Sequence, residues 1–302
     1  MHLEWSGQGV AKAQFQPRGS GLMWARSLAL AIACAAAHGS AHAELIFSAT
    51  GTTPAGIQAA VDAFRADLGS LNPNIPGSFG GGRREINWDG VPDALAAPNN
   101  LPANFFNVNS PRGVVFATPG AGFQVSGNPA LGVPSEFSNI NPGYPGLFAP
   151  FSSPRLFTAL NSTTTDVQFF IPGSTTNAFT RGFGAVFTDV DLASTTNLEF
   201  FDGASRSLGT FFAPAMAGNE TLSFLGVDFG LPLISRVRIS SGNLALGPGS
   251  NEAGNLDLVV MDDFIYGEPV PEPASIILFG SALLGLAAIR RRGKHGRSLD
   301  PS

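Results

Sequence analysis

The sequence predicts a mainly β fold: an antiparallel β-sandwich, jelly-roll-like, with one early amphipathic helix and a sorting segment at each end. Three observations predict it. Short apolar stretches alternate with polar residues at a period of two, as strands packed on one side do. Gly and Pro number 37 and 23 of 302 residues, which disfavours a helical bundle. Charged residues make up only 13% while Phe alone numbers 25, which disfavours disorder.

At the N-terminus Arg26 precedes ten apolar or small residues, Leu28 to Ala37, and then Ala41-His42-Ala43. A basic start, a short apolar run and a small-x-small site are the parts of a secretory signal peptide, with cleavage expected between Ala43 and Glu44. Ten helical residues cover about 15 Å, too short to span a bilayer. The signal is therefore assigned to 1–43, and the long stretch before Met23 points to that residue as the true start. Signal peptidase and the secretion machinery are the implied partners.

The segment 44–110 is expected to hold one helix and a Pro/Gly/Asn-rich wrapping stretch. Thr53 and Pro54 open the helix as N-cap and first-turn residue. Ile57, Ala60, Val61, Phe64 and Leu68 share a face, and Gly69 ends it. The body, 111–268, reads as nine strands: Val114–Ala117, Phe123–Val125, Val167–Ile171, Phe183–Val190, Leu198–Phe201, Leu208–Phe212, Leu222–Val227, Ile234–Ile239 and Leu256–Tyr266. Asp202-Gly203 marks a hairpin between two Phe-rich strands. Strands without intervening helices favour a sandwich over a parallel sheet.

Composition narrows the chemistry. Between Glu44 and Pro273 there is no His, Cys or Lys. That range therefore lacks the side chains for Ser-His-Asp or Cys-His catalysis, Schiff-base chemistry, disulfides and ordinary zinc or iron–sulfur sites. It carries 20 acidic residues against 9 Arg, a net charge of −11, so no nucleic-acid partner is expected.

At the other end Val270-Pro271-Glu272-Pro273 is followed by sixteen uncharged residues to Ile289 and by Arg290-Arg291-Arg292. Sixteen helical residues cover about 24 Å, slightly short of a ~30 Å hydrocarbon core, and snorkelling Arg side chains close the gap. The Arg cluster would stay cytoplasmic and leave the body outside the membrane. This order of parts resembles the PEP-CTERM sorting signal, assigned to 269–293, with a basic tail at 294–302 that is longer than the usual ending. The resemblance implies an exosortase as processing partner, a transmembrane helix that anchors the chain transiently in the inner membrane, and a Gram-negative host that makes exopolysaccharide. It implies a sorting motif made of Val270, Pro271, Glu272, Pro273, Arg290, Arg291 and Arg292, with recognition at Pro271, Glu272 and Pro273, and delivery to the cell surface or extracellular matrix. The strand pattern with Asp at strand ends also looks like jelly-roll domains of other PEP-CTERM proteins, some of which resemble carbohydrate-binding modules.

Candidate ligand groups are few. Trp88, the only Trp between Glu44 and Pro273, either pins the wrapping stretch to the core or stacks on a sugar; the first is preferred because aromatics bury large areas. Arg83 or Arg84 is expected to pair with Glu85 or Asp89. Asp189, Asp191, Asp262 and Asp263 are the candidate ligands of a structural Ca²⁺, a hard cation that takes carboxylate and carbonyl oxygens. The plainer alternative has strand-end aspartates capping turns. No other cofactor and no catalytic residue is expected. The functional expectation is a non-catalytic, exported surface or matrix protein associated with exopolysaccharide. The alternatives are a carbohydrate-active enzyme using Asp pairs and a purely structural matrix protein.

Overall fold

The computed structural model describes residues 44–132 and 135–272. Two antiparallel sheets face one another. The larger runs β1 (Leu45–Gly51), β10 (Leu222–Asp228), β7 (Gly182–Thr188), β12 (Val260–Gly267), β5 (Phe157–Leu160) and β4 (Gly122–Val125), with β2 (Arg83–Ile86) also paired to β12. The smaller runs β3 (Val114–Ala117), β6 (Thr164–Phe169), β11 (Arg236–Ser240), β8 (Asn197–Phe201) and β9 (Ser207–Phe212). The main core lies between them and is dominated by aromatic rings, among them Trp88, Phe116, Phe157, Phe183 and Phe264.

All nine expected strands are present, though the last begins at Val260 rather than Leu256 and the third at Thr164 rather than Val167. Three more were not expected. β1 follows the predicted cleavage site directly, β2 is rich in charge and β5 has four residues, so none shows a clear alternation. The wrapping stretch is thus tied into the larger sheet through β2. It also contains a one-turn helix, α2 (Phe105–Val108), whose Phe105 and Phe106 enter the core. The predicted signal peptide, Pro273, the apolar helix and Arg290–Arg292 lie outside the described residues.

The smaller sheet shows the predicted alternation. Val237 and Ile239 are buried, and Arg236 and Arg238 on the opposite face both donate to Asp166 of β6. Arg238 stands directly opposite Asp166 and Arg236 diagonally to it, and cross-strand charges of unlike sign stabilise a strand pair. The β8–β9 hairpin forms at Asp202 as expected, but as a longer loop in which Asp202 accepts from the amides of Ala204 and Arg206.

Every residue of β7, β10 and β12 is buried, because the larger sheet is covered on both faces. Its outer face packs against α1 (Pro54–Leu68), which buries Ile57, Val61, Phe64 and Leu68. Thr53 sits at the N-cap, but its side chain makes no capping bond; its carbonyl accepts from the Gly56 amide instead. Phe64 lies over Gly184 and Gly226, which oppose each other across β7 and β10. A Cβ on Gly226 would fall 2.9 Å from the Phe64 ring, so both positions must lack a side chain for the helix to dock.

One buried ion pair binds the N-terminal segment to the last strand. Arg84 and Glu268 are fully buried, joined at 2.8 and 2.9 Å. The remaining guanidinium donors reach the carbonyls of Pro73, Ile75, Gly77 and Pro111. Glu268 also accepts from Asn72 Nδ2 and the Phe79 amide. The sequence placed an Arg83 or Arg84 partner locally, at Glu85 or Asp89. Arg83 does pair with Glu85, while Arg84 reaches 184 residues along the chain.

Removing one partner leaves the other charge buried alone, so Arg84→Met is expected to cost about 3–5 kcal/mol in urea unfolding. Gly226→Ala, which overpacks against Phe64, is expected to cost about 1–3 kcal/mol in the same measurement.

Candidate functional site

Two carboxylate groups form where sequence reasoning placed four candidate ligands, and they are built differently. The first lies at the end of β7. The strand stops at Thr188 and Asp189 turns into the left-handed region at φ 71°, a conformation that Asp tolerates better than most residues. The turn brings Asp189 and Asp191 together with Glu252 from the loop before β12, with one carboxylate oxygen of each within 4.8 Å of the others. Asp257 stands beside them, accepting from the Asp191 amide and from Thr195 Oγ1. Asp191 Oδ1 accepts from the Gly218 amide at 2.7 Å, and Glu252 Oε1 from the Leu258 amide at 2.8 Å. Asp189 is 0% exposed, and no donor meets either of its oxygens. Burial, followed by the charges of Glu252, Asp191 and Asp257, pushes its carboxyl up to about 8. Burial also raises Glu252 and Asp257. No local pattern marks Glu252, which lies in an irregular loop far along the chain.

Asp262 and Asp263 do not join this group. They form a β-bulge: β12 pairs with β7 at Met261 and again at Phe264, so the two aspartates stand against Val186 alone. Bulging aims both carboxylates at one residue, where a regular strand would send them to opposite faces. Ser152 Oγ lies 3.1 Å from Asp262 Oδ1 and 2.6 Å from Asp263 Oδ1. Asp262 Oδ2 accepts from the Phe151 and Ser152 amides, and Asp263 Oδ2 from Arg65 of α1. Arg65 also grips Glu85 of β2. Burial raises both carboxyls. The expectation that this pair ligates the same ion as Asp189 and Asp191 is corrected: amide, hydroxyl and guanidinium donors occupy its oxygens, and it serves as a structural clamp.

Trp88 lies in the aromatic core, 1% exposed. Its ring stacks on Phe157 at 4.0 Å, Phe106 and Phe264 meet it edge-on, and Nε1 donates to the Asp262 carbonyl. The sugar-stacking alternative is therefore corrected in favour of the core pin, since the indole faces are already covered. Neighbouring Asp89 accepts from the Arg155 amide, and burial pushes its carboxyl up to about 6.

The sorting segment leaves the sandwich at once. Phe179 and Val270 exchange two backbone hydrogen bonds, at 2.8 and 2.9 Å. Pro271 and Glu272 then border a groove of about 610 Å³, whose other walls include Gln168, Phe170, Asn177, Phe179 and Arg236. Residues 269–292 match the PEP-CTERM protein-sorting motif. No curated protein matches the chain. The class defined here is a β-sandwich protein carrying a surface-sorting signal. The motif implies processing by an exosortase and sorting to the cell surface of a Gram-negative bacterium.

Asp89 generates a pH prediction. Its carboxyl titrates near 6 in the fold and near 3.8 when unfolded, so the native state holds the proton more tightly. That contribution is complete below about pH 4 and is lost as pH rises through 6. Asp89→Asn is expected to flatten the fall in stability between pH 4 and pH 7, measured by urea unfolding at each pH. Trp88→Ala is expected to cost about 3–5 kcal/mol.

Proposed function

We propose that this chain is an exported, non-catalytic cell-surface or matrix protein whose sandwich associates with exopolysaccharide once an exosortase has processed its C-terminus. The observation that carries this reading is the continuity between β12 and the sorting motif. Val270 is still paired with Phe179, so the folded sandwich itself is the delivered cargo. Signal peptidase and the secretion machinery act before the exosortase in this scheme.

Two features support the non-catalytic, polysaccharide-associated part. The range from Glu44 to Pro273 has no imidazole, thiol or amine side chain to serve as nucleophile or base. The groove beside Val270 combines the half-buried rings of Phe170 and Phe179 with the amides of Gln168 and Asn177 and with Arg236. An apolar wall with a few convergent polar groups suits a sugar ring, whose C–H face packs on aromatics and whose hydroxyls need donors and acceptors.

A carbohydrate-active enzyme is the competing reading, and the raised Asp189 carboxyl next to Asp191 favours it, since glycosidases need two carboxylates of unlike character. Against it stands the complete burial of Asp189, which leaves a sugar no route to that group.

The test is co-sedimentation of the secreted protein with exopolysaccharide purified from the host. Wild type is expected to pellet saturably, and Arg236→Ala combined with Asn177→Ala is expected to bind about 10-fold more weakly or less. Absence of saturable binding sinks the polysaccharide part, and glycan hydrolysis abolished by Asp191→Asn sinks the non-catalytic part. Replacing Pro271, Glu272 and Pro273 by Ala is expected to keep the protein in the membrane fraction.

A further inference from the structure

We propose that Asp189, Asp191 and Glu252 form a divalent-cation site, with Ca²⁺ as its ion, that fastens the loop before β12 to the end of β7. The strongest sign is the Asp189 carboxylate. Among the described residues it is the one buried carboxylate whose oxygens both lack a partner. An isolated buried carboxylate is costly and needs a proton, a cation or several donors. Here no donor is in place, and every charge acting on it is negative.

The neighbours are arranged for the cation. Asp191 and Glu252 each spend one oxygen on a backbone amide, which fixes the carboxylate and leaves the second oxygen free. With both oxygens of Asp189, the cluster offers four unspent carboxylate oxygens from two separate parts of the chain. A proton on Asp189 would bond it to Glu252 and still leave the charges of Asp191 and Glu252 facing each other. Ca²⁺ takes six to eight oxygens in flexible geometry, so water can complete the shell. Asp191 and Glu252 are only half-buried, which gives the ion and its waters an entrance. Asp262 and Asp263 supply the contrast: each of their oxygens lies within hydrogen-bond distance of an amide, hydroxyl or guanidinium group. Delivery to the cell surface would place the protein where calcium is abundant enough for a site of modest affinity, about 10⁻⁴–10⁻³ M.

The experiment is calorimetric titration of CaCl₂ into the full chain, purified in detergent and freed of metal by a chelator, alongside thermal unfolding. The expected result is one Ca²⁺ per chain and a melting temperature higher by roughly 3–6 °C at ten times the dissociation constant. Asp189→Asn and Glu252→Gln are each expected to weaken binding at least ~10-fold, while Asp262→Asn leaves it unchanged. Glu252→Gln alters a half-buried loop residue, so it carries the test if Asp189→Asn does not fold. Absence of binding and of any melting shift up to about 10 mM Ca²⁺ overturns the proposal. So does binding that survives both cluster substitutions, which would put the ion elsewhere. Polysaccharide co-sedimentation is a separate readout, so either idea can fail alone.

Discussion

The pair between Arg84 and Glu268 is the interaction on which the rest of the structure depends. It is fully desolvated, and such pairs recover their desolvation cost only when further hydrogen bonds satisfy the remaining donors and lone pairs. Here they do. Four backbone carbonyls surround the guanidinium, and an amide and an asparagine side chain complete the carboxylate. A Pro/Gly/Asn-rich stretch with little periodic apolar pattern thereby becomes ordered around one charge. The same pair holds Glu268 two residues before Val270, so the start of the sorting segment is anchored by the N-terminal part of the body.

β12 carries most of the remaining connections. It pairs with β2, β5 and β7, bears the bulged aspartates that clamp Ser152 and Arg65, and its Asp262 carbonyl receives the Trp88 indole. A strand this central, buried on both faces, requires the sheet to be covered from outside as well as from inside. α1 supplies that cover, and its approach depends on the glycine floor beneath Phe64. Helix, bulge and buried pair are thus consequences of one constraint: the chain must close both faces of the larger sheet before it runs into the sorting motif.

Much of this was legible beforehand. Thr53-Pro54 at the start, Gly69 at the end and the shared face of Ile57, Ala60, Val61, Phe64 and Leu68 defined α1 to the residue, and alternation in the body located nine strands. β1, β2 and β5 escaped because none carries a clear polar–apolar alternation: β1 opens on three consecutive apolar residues, β2 is charged and β5 is short; their pairing comes from partners far along the chain. The candidate carboxylates were half legible. Two Asp at a strand end drew attention to Asp189 and Asp191, but Glu252 had no local signal, and the adjacent Asp262 and Asp263 suggested a ligand pair that instead faces Ser152, Arg65 and two backbone amides.

By itself, the sequence determined the sorting segment, the sheet-rich class and the absence of His, Cys and Lys between Glu44 and Pro273, because those properties are local or compositional. Only the tertiary structure decided which charges meet. Arg84 finds Glu268, Asp189 finds Glu252, and Trp88 turns inward, because strand register and a bulge set those distances and neither is written in any single stretch of chain.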